Sequence, residues 1–169
     1  GAGGVLVTPP VEKQHVHAVY DEIAPHFSAT RFACWPRVGE YIHALPAGAV
    51  VADCGCGNGK YLGVRKDLAM VATDISRGLL LQCRARGHDV AVGDSINLPL
   101  RSGSCDGAMS IAVLHHFSTV ARRARAVEEM LRVLRPGCRG IITVWAAEQE
   151  NLEKTVDKWT AIENQDLGA

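Results

Sequence analysis

Apolar residues recur at helical spacing in the first part of this chain, then give way to short unbroken runs. Between positions 11 and 27, Val16, Val19, Tyr20 and Ile23 fall three and four residues apart, which predicts an amphipathic helix. Positions 35–45 predict a second helix, with Pro36 in its first turn and Pro46, Ala47 and Gly48 closing it. Five apolar runs follow, at 49–52, 69–72, 89–92, 107–111 and 139–146. The first three end at or near Asp53, Asp74 and Asp94, the form that buried parallel strands take. Helices are expected between the runs, at 60–64, 76–86 and 119–134. In the last, Val120, Ala124, Val127, Met130, Leu131 and Leu134 are assigned to one buried face. Arg135, Pro136 and Gly137 then read as a stop and turn. Strands alternating with helices imply an α/β fold, a mostly parallel sheet covered by helices on both faces. One domain is expected over 11–147. Residues 1–10 are expected to be a disordered start or a cloning remnant, and 148–169 a polar tail or incomplete C-terminal part.

Composition narrows the function classes. The 169 residues, 47% of them hydrophobic, suffice for one buried core. Eighteen basic and eighteen acidic residues cancel, so any nucleic-acid contact must come from a local patch. The cluster Arg122, Arg123, Arg125, Arg132 and Arg135 reads first as a solvated helix face, partly paired with Glu128 and Glu129, and second as an RNA contact. No apolar run approaches the ~20 residues of a membrane span, and no membrane partner is expected. The six cysteines form no CxxC pair, so no metal is expected, and a reducing intracellular compartment is.

The chemistry is concentrated after the first strand, in Asp53–Cys54–Gly55–Cys56–Gly57–Asn58–Gly59. Glycines there permit a sharp turn and close approach of a ligand. Asp74, ending the second strand, suits both hydroxyls of a ribose, and Asp94 with Ser95 suits an adenine amino group. A dinucleotide turn reads GxGxxG and aims a helix at a pyrophosphate. This one reads GxGxG with an acid two residues ahead, and Asp53 can help hold the cationic ammonium of S-adenosylmethionine through backbone or water.

With that turn in place, the chain resembles class I S-adenosylmethionine-dependent methyltransferases, which have a Rossmann-like fold. Within them it resembles the eukaryotic tRNA wobble-uridine carboxymethyl methyltransferases, namely the methyltransferase domain of the AlkB-like tRNA hydroxylase and its free-standing yeast counterparts. The likeness runs from about Val11 to Glu150. It is carried by Glu12–Lys13–Gln14–His15–Val16–His17–Ala18–Val19–Tyr20, by Thr30–Arg31 and Trp35–Pro36, by residues 53–62, by Ser110–Ile111–Ala112–Val113–Leu114–His115–His116–Phe117, and by Val144–Trp145–Ala146–Ala147–Glu148–Gln149. Two departures are small: Cys54 where an aliphatic residue is usual, and Cys138 where a second glycine is. A third is larger, since two further strands usual in such enzymes are not evident in residues 148–169.

The resemblance implies esterification of the carboxymethyl group of 5-carboxymethyluridine at the wobble position, with S-adenosylhomocysteine as the product of the cofactor. The tRNA anticodon stem-loop is the implied partner, and for yeast-type members a small zinc-binding activator subunit; the implied location is the cytoplasm, with the nucleus as a second. Arg31 is implied as the residue engaging the carboxylate, His116 as a group at the substrate mouth with His115 its competitor, and Trp145 as a surface for the base. Tyr20, Asp53, Gly55, Gly57, Gly59, Asp74, Asp94, Ser95 and Ile111 are implied in holding the cofactor. A small-molecule methyltransferase, and a cofactor-binding protein that acts by interaction alone, are the alternatives to be weighed; a nicotinamide oxidoreductase is a more distant one.

Overall fold

The structure, a computed structural model, describes residues 6–27 and 34–145. Helical structure begins at Pro10–Glu12, passes through a π-helical stretch at Lys13–His17 and continues as helix α1, Ala18–Phe27. Helix α2, Pro36–Ala44, has Trp35 at its N-cap and buries Val38 and Ile42. Strand β1, Val50–Cys54, then starts the alternation. It is followed by β2 (Ala69–Asp74), helix α3 (Arg77–Ala85), β3 (Val90–Val92), β4 (Cys105–Ile111), a 3₁₀ turn (Leu114–His116), helix α4 (Val120–Val133) and β5 (Leu134–Thr143).

The strands pair in the order β3-β2-β1-β4-β5, every pairing parallel. Parallel strands need both faces covered, and both are. Because side chains alternate across a strand, Ala52, Cys54 and Ala108 meet Met130 and Val133 of α4, while neighbouring Met109 meets Val38 and Ile42 of α2. Ala72 clusters with Leu80 and Cys83 of α3. Small residues on β1 and β4 let α4 approach closely. Each of the last two helices has a side-chain cap: Ser76 Oγ accepts the Leu79 N–H at 3.3 Å, and Thr119 Oγ1 accepts the Arg122 N–H at 3.2 Å. No helix among the described residues is long and apolar enough to cross a membrane.

Four expectations are corrected. Residues 60–64 are not a helix but a chain of four-residue turns, Leu62 N–H to the Gly59 carbonyl and Val64 N–H to that of Tyr61; Gly57 and Gly59, at φ 55° and 76°, keep the backbone out of a helical path just before them. Helix α4 turns a different face inward: Arg122, Ala126, Glu129, Met130 and Val133 are buried, while Val120 and Leu131 are 74% and 63% exposed. The inward charges are neutralised in place, so the apolar pattern misreads the phase. Strand β5 begins at Leu134, and the Arg135–Pro136–Gly137 step lies inside it as an irregularity rather than ending an element. There the Tyr41 hydroxyl donates to the Arg139 carbonyl at 2.8 Å and accepts the Ala108 N–H at 3.0 Å, filling the gap left by the register shift.

The fourth correction concerns the basic cluster, whose expected pairing with Glu128 and Glu129 is observed but which is not a solvated face. Arg122 is buried against Glu12, Arg125 and Arg132 both bond Glu129, and Arg135 bonds Asp106. Arg132 also donates to the Leu98 and Leu100 carbonyls at 3.1 and 2.7 Å, and Arg125 to that of Ile96 at 3.2 Å. These guanidiniums hold the 96–100 loop to the helix instead of forming a free cationic surface. On α1, Val19 and Ile23 stay more than a third exposed, so that helix rests on the domain through polar contacts as well as apolar ones. Residues 146–169, where the tail and any further strands were sought, lie outside the described residues, as does the start at 1–5.

Candidate functional site

In an open parallel sheet the natural crevice lies beyond the carboxyl ends of the strands, where the order reverses on either side of β1. The acids ending β1 and β2, and Asp94 just beyond β3, all sit on that edge. Asp53 is 2% exposed, and its Oδ2 has no hydrogen-bond partner among the described residues. Burial pushes its carboxyl well above the usual range, and the nearby Asp74 charge adds to the rise. The Gly55 and Cys56 N–H groups both donate to the Thr73 carbonyl, at 2.8 and 2.9 Å, which stitches the turn onto β2.

Asp74 accepts the Gly57 N–H at 2.8 Å on one oxygen and the Ser76 N–H at 2.9 Å on the other. Burial raises its pKa while these amides oppose the rise, and each oxygen keeps acceptor capacity for a ligand. The Gly93 N–H bonds the Asp74 carbonyl at 3.0 Å, bringing the third strand's end alongside. Beyond it Asp94 accepts the Ile96 N–H at 3.1 Å, and Ser95 is buried.

The glycines serve packing as much as ligand approach. A Cβ on Gly55, at φ 95°, would lie 2.4 Å from Val113, and one on Gly59, at φ 76°, 2.9 Å from the Cys83 sulfur. Val113 follows Ile111, at the end of β4, and Ala112, a non-glycine residue with a left-handed backbone (φ 58°). Its N–H is held by the Thr143 carbonyl at 3.0 Å and Oγ1 at 3.1 Å. This bend turns the chain into the 3₁₀ turn that carries both histidines.

His116 is half-buried and shares a 2.9 Å hydrogen bond with the Tyr20 hydroxyl, its ring edge-on to the tyrosine at 5.1 Å. His115 is exposed, with its ring 4.2 Å from that of His116. Of the pair, His116 is therefore the one that meets α1. Trp145, 44% exposed just past β5, stands edge-on to Trp35 at 6.0 Å, and the Lys60 ammonium lies 5.5 Å from the Trp35 ring and 5.2 Å from Tyr61. Arg31 lies outside the described residues.

Sequence reasoning missed Asp21, Glu12 and Arg122. The Asp21 carboxylate takes hydrogen bonds from Ser76 Oγ and from the Gly78 N–H at the start of α3, and so ties α1 to the residue next to Asp74. No local signal announces such a contact, because its partners are 55 and 57 residues away. Glu12 continues the stripe of Val16, Val19 and Ile23, and a charged residue in that apolar stripe was the available cue. Arg122 lies on a helix face that the apolar pattern assigns to solvent.

The chain matches the family model described as "Methyltransferase domain" over residues 52–142, more than half its length. It is 52% identical over 158 residues to a tRNA (carboxymethyluridine(34)-5-O)-methyltransferase of Arabidopsis thaliana, covering 94% of this chain and 39% of that protein. It is 55% identical over 140 residues to the mouse tRNA (carboxymethyluridine(34)-5-O)-methyltransferase ALKBH8, covering 83% of this chain and 21% of that protein. The chain thus spans well under half the length of these relatives. Among solved structures it resembles a complex of the Haloferax volcanii Trm112 methyltransferase activator with the protein named there as its methyltransferase. The TM-score is 0.65 at 22% identity, over 76% of this chain and 60% of that one, a likeness of fold.

Methyltransferase domains of this class take S-adenosylmethionine, and the residues on the edge fit it. A buried carboxylate oxygen without a donor is the feature a cationic ammonium, or a water it holds, would satisfy. By sequence, by sheet order and by the acids on its carboxyl edge, this chain belongs to the methyltransferase-domain family, with tRNA carboxymethyluridine methyltransferases among its relatives.

Proposed function

We propose that this chain carries the methyltransferase activity of a tRNA-modifying enzyme that esterifies the carboxymethyl group of 5-carboxymethyluridine at the anticodon wobble position. The observation that supports this above all is identity of 52% across 94% of the chain to a relative of that name. In this reading Asp53 faces the ammonium of the cofactor and Asp74 the ribose hydroxyls. Asp94 and Ser95 take the adenine, Ile111 borders it, and Tyr20 closes over the methionine end.

The nucleophile is the substrate's own carboxylate, which is ionised near neutral pH, so no residue is needed as a general base. One carboxylate oxygen forms a bond to the methyl carbon as the carbon–sulfur bond breaks, and the electron pair stays on sulfur, leaving neutral S-adenosylhomocysteine. What the protein supplies is alignment of oxygen, carbon and sulfur. Arg31 engages the carboxylate through both oxygens, His116 borders the reacting group, and Trp145 with Trp35 offers an aromatic surface to a base turned out of the anticodon loop.

A small zinc-binding activator is proposed as a partner, by analogy with the fold-level likeness to an activator-bound protein. The enzyme would meet its tRNA in the cytoplasm or nucleus. The test is methyl transfer from S-adenosylmethionine to bulk tRNA taken from cells that lack the wobble ester, with and without such an activator. Transfer to those tRNAs and not to tRNA already esterified is expected. Transfer to small organic acids alone would replace this reading with a small-molecule methyltransferase, and tight cofactor binding with no turnover would replace it with an interaction role.

A further inference from the structure

The helical run that starts at Pro10 is uniform in neither geometry nor contacts. Its first turn and α1 are α-helical, but Lys13–His17 between them is π-helical. A π turn takes an extra residue, is rare, and is frequent at functional sites. Here each end of it is anchored. Upstream, the Glu12 carboxylate is 2% exposed and accepts Arg122 Nε at 2.9 and 3.0 Å on its two oxygens, with Arg122 Nη2 at 2.8 Å. It also accepts the Ser118 N–H and Oγ at 2.8 and 2.7 Å, while Arg122 Nη1 donates to the Val7 carbonyl at 3.2 Å. Downstream, Tyr20 meets His116 and Asp21 holds Ser76 and Gly78.

The helical phase explains the π turn. At about 100° per residue, the step from Glu12 to Tyr20 in a uniform α-helix turns about 800°, some 80° past two full turns. The two side chains would then face different ways, and both could not reach the same edge of the domain. Absorbing one residue in the π turn leaves a rotation of about 700°, within roughly 20° of two turns. Glu12 and Tyr20 then share a face. Ser118 lies two residues beyond His116, so the Glu12 carboxylate holds both sides of the Tyr20–His116 contact, one through α1 and one through the loop.

We propose that Glu12 is a positioning residue and that Lys13–His17 is the spacer that sets its phase. Together they fasten α1 across the carboxyl edge so that Tyr20 and Asp21 reach His116 and the start of α3. This rests on the reading of that edge as the cofactor site, but not on which substrate is methylated. Asp21 touches Ser76, whose N–H holds Asp74, so the latch acts on the ribose acid through one side chain and one backbone bond.

The test uses the full chain, with S-adenosylhomocysteine affinity read by calorimetry, global stability by urea unfolding, and protection of α1 amides by hydrogen exchange. Three variants are compared: insertion of one alanine after Gln14, which adds about 100° between Glu12 and Tyr20 and so turns them onto different faces; Glu12→Gln, which keeps the shape and removes the charge; and both together. Each single change is expected to weaken cofactor binding on the order of tenfold and to deprotect α1, with the β-sheet amides unaltered. The double change is expected to cost no more than either alone, because latch and spacer act as a unit. Unchanged affinity in Glu12→Gln overturns the proposal, as do losses that add independently in the double variant. Should the insertion fail to fold, an Arg122→Glu change restoring affinity to Glu12→Arg supports it, and no restoration overturns it. Wild-type chain that binds the cofactor yet methylates no tRNA would instead count against the substrate reading and leave the latch standing.

Discussion

Asp53 sits where the fold makes an acid most uncomfortable: buried, beside another carboxylate, with one oxygen lacking a donor. The unfolded chain ionises it near pH 4, whereas the folded protein holds the proton to well above that, so ionisation costs stability as pH rises between the two values. A cation bound there reverses the balance. Cofactor binding should therefore release a proton, and affinity should rise with pH until Asp53 is ionised in the free protein. Calorimetry in buffers of different ionisation enthalpy measures that release, and Asp53→Asn should remove it; a buffer-independent heat in the wild type would mean that Asp53 does not face the ammonium. Two other residues divide differently: Asp74→Ala should abolish cofactor binding, while Arg31→Ala should spare it and lose methyl transfer. At this scale much was legible. Three acids each closing an apolar run mark an edge even in one dimension, whereas the pairing of Tyr20 with His116 joins residues 96 positions apart and left no trace in spacing.

At the scale of elements, α4 shows how a charged core position defeats pattern reading. Glu129 is 1% exposed, accepts the Leu98 N–H at 2.8 Å, and bonds Arg125 and Arg132, both at 2.7 Å. Bonds from Arg132 hold its carboxyl below the usual range. Removing it leaves an amide and two guanidiniums without their partner, so Glu129→Ala should destabilise the fold by about 3 kcal/mol in urea unfolding. Because the folded pKa is depressed, this contribution is present above about pH 4.5 and is lost as pH falls through the folded value, so the variant should also show a flatter acid limb. An uncharged Met130→Ala change, which opens a cavity under β4, should cost about 2–5 kcal/mol with no such pH dependence. Strands were easier to read than this helix. Three of their five runs end at or near aspartate, while α4 owes its orientation to charged side chains that hydrogen-bond the backbone of the 96–100 loop, which no hydrophobic periodicity records.

For the whole molecule, the sheet order β3-β2-β1-β4-β5 places the glycine turn, the three acids and the Ala112 bend on one edge, and α1 closes it from the N-terminal side. The parallel α/β class follows from the alternation of runs and helices. The order of strands does not, since which strands neighbour one another is decided by crossover packing. The glycine turn marks the proposed cofactor site, and identity to relatives named for carboxymethyluridine carries the substrate reading. That reading makes a chemical commitment, because the product is an ester. The most direct test is therefore the alkali lability of the methyl group transferred to tRNA. The protein is supplied with labelled S-adenosylmethionine and tRNA lacking the wobble ester. The account predicts label in tRNA that mild base releases as methanol, and no label with Asp74→Ala. Label that survives base, and so sits on nitrogen, carbon or ribose oxygen, would contradict it.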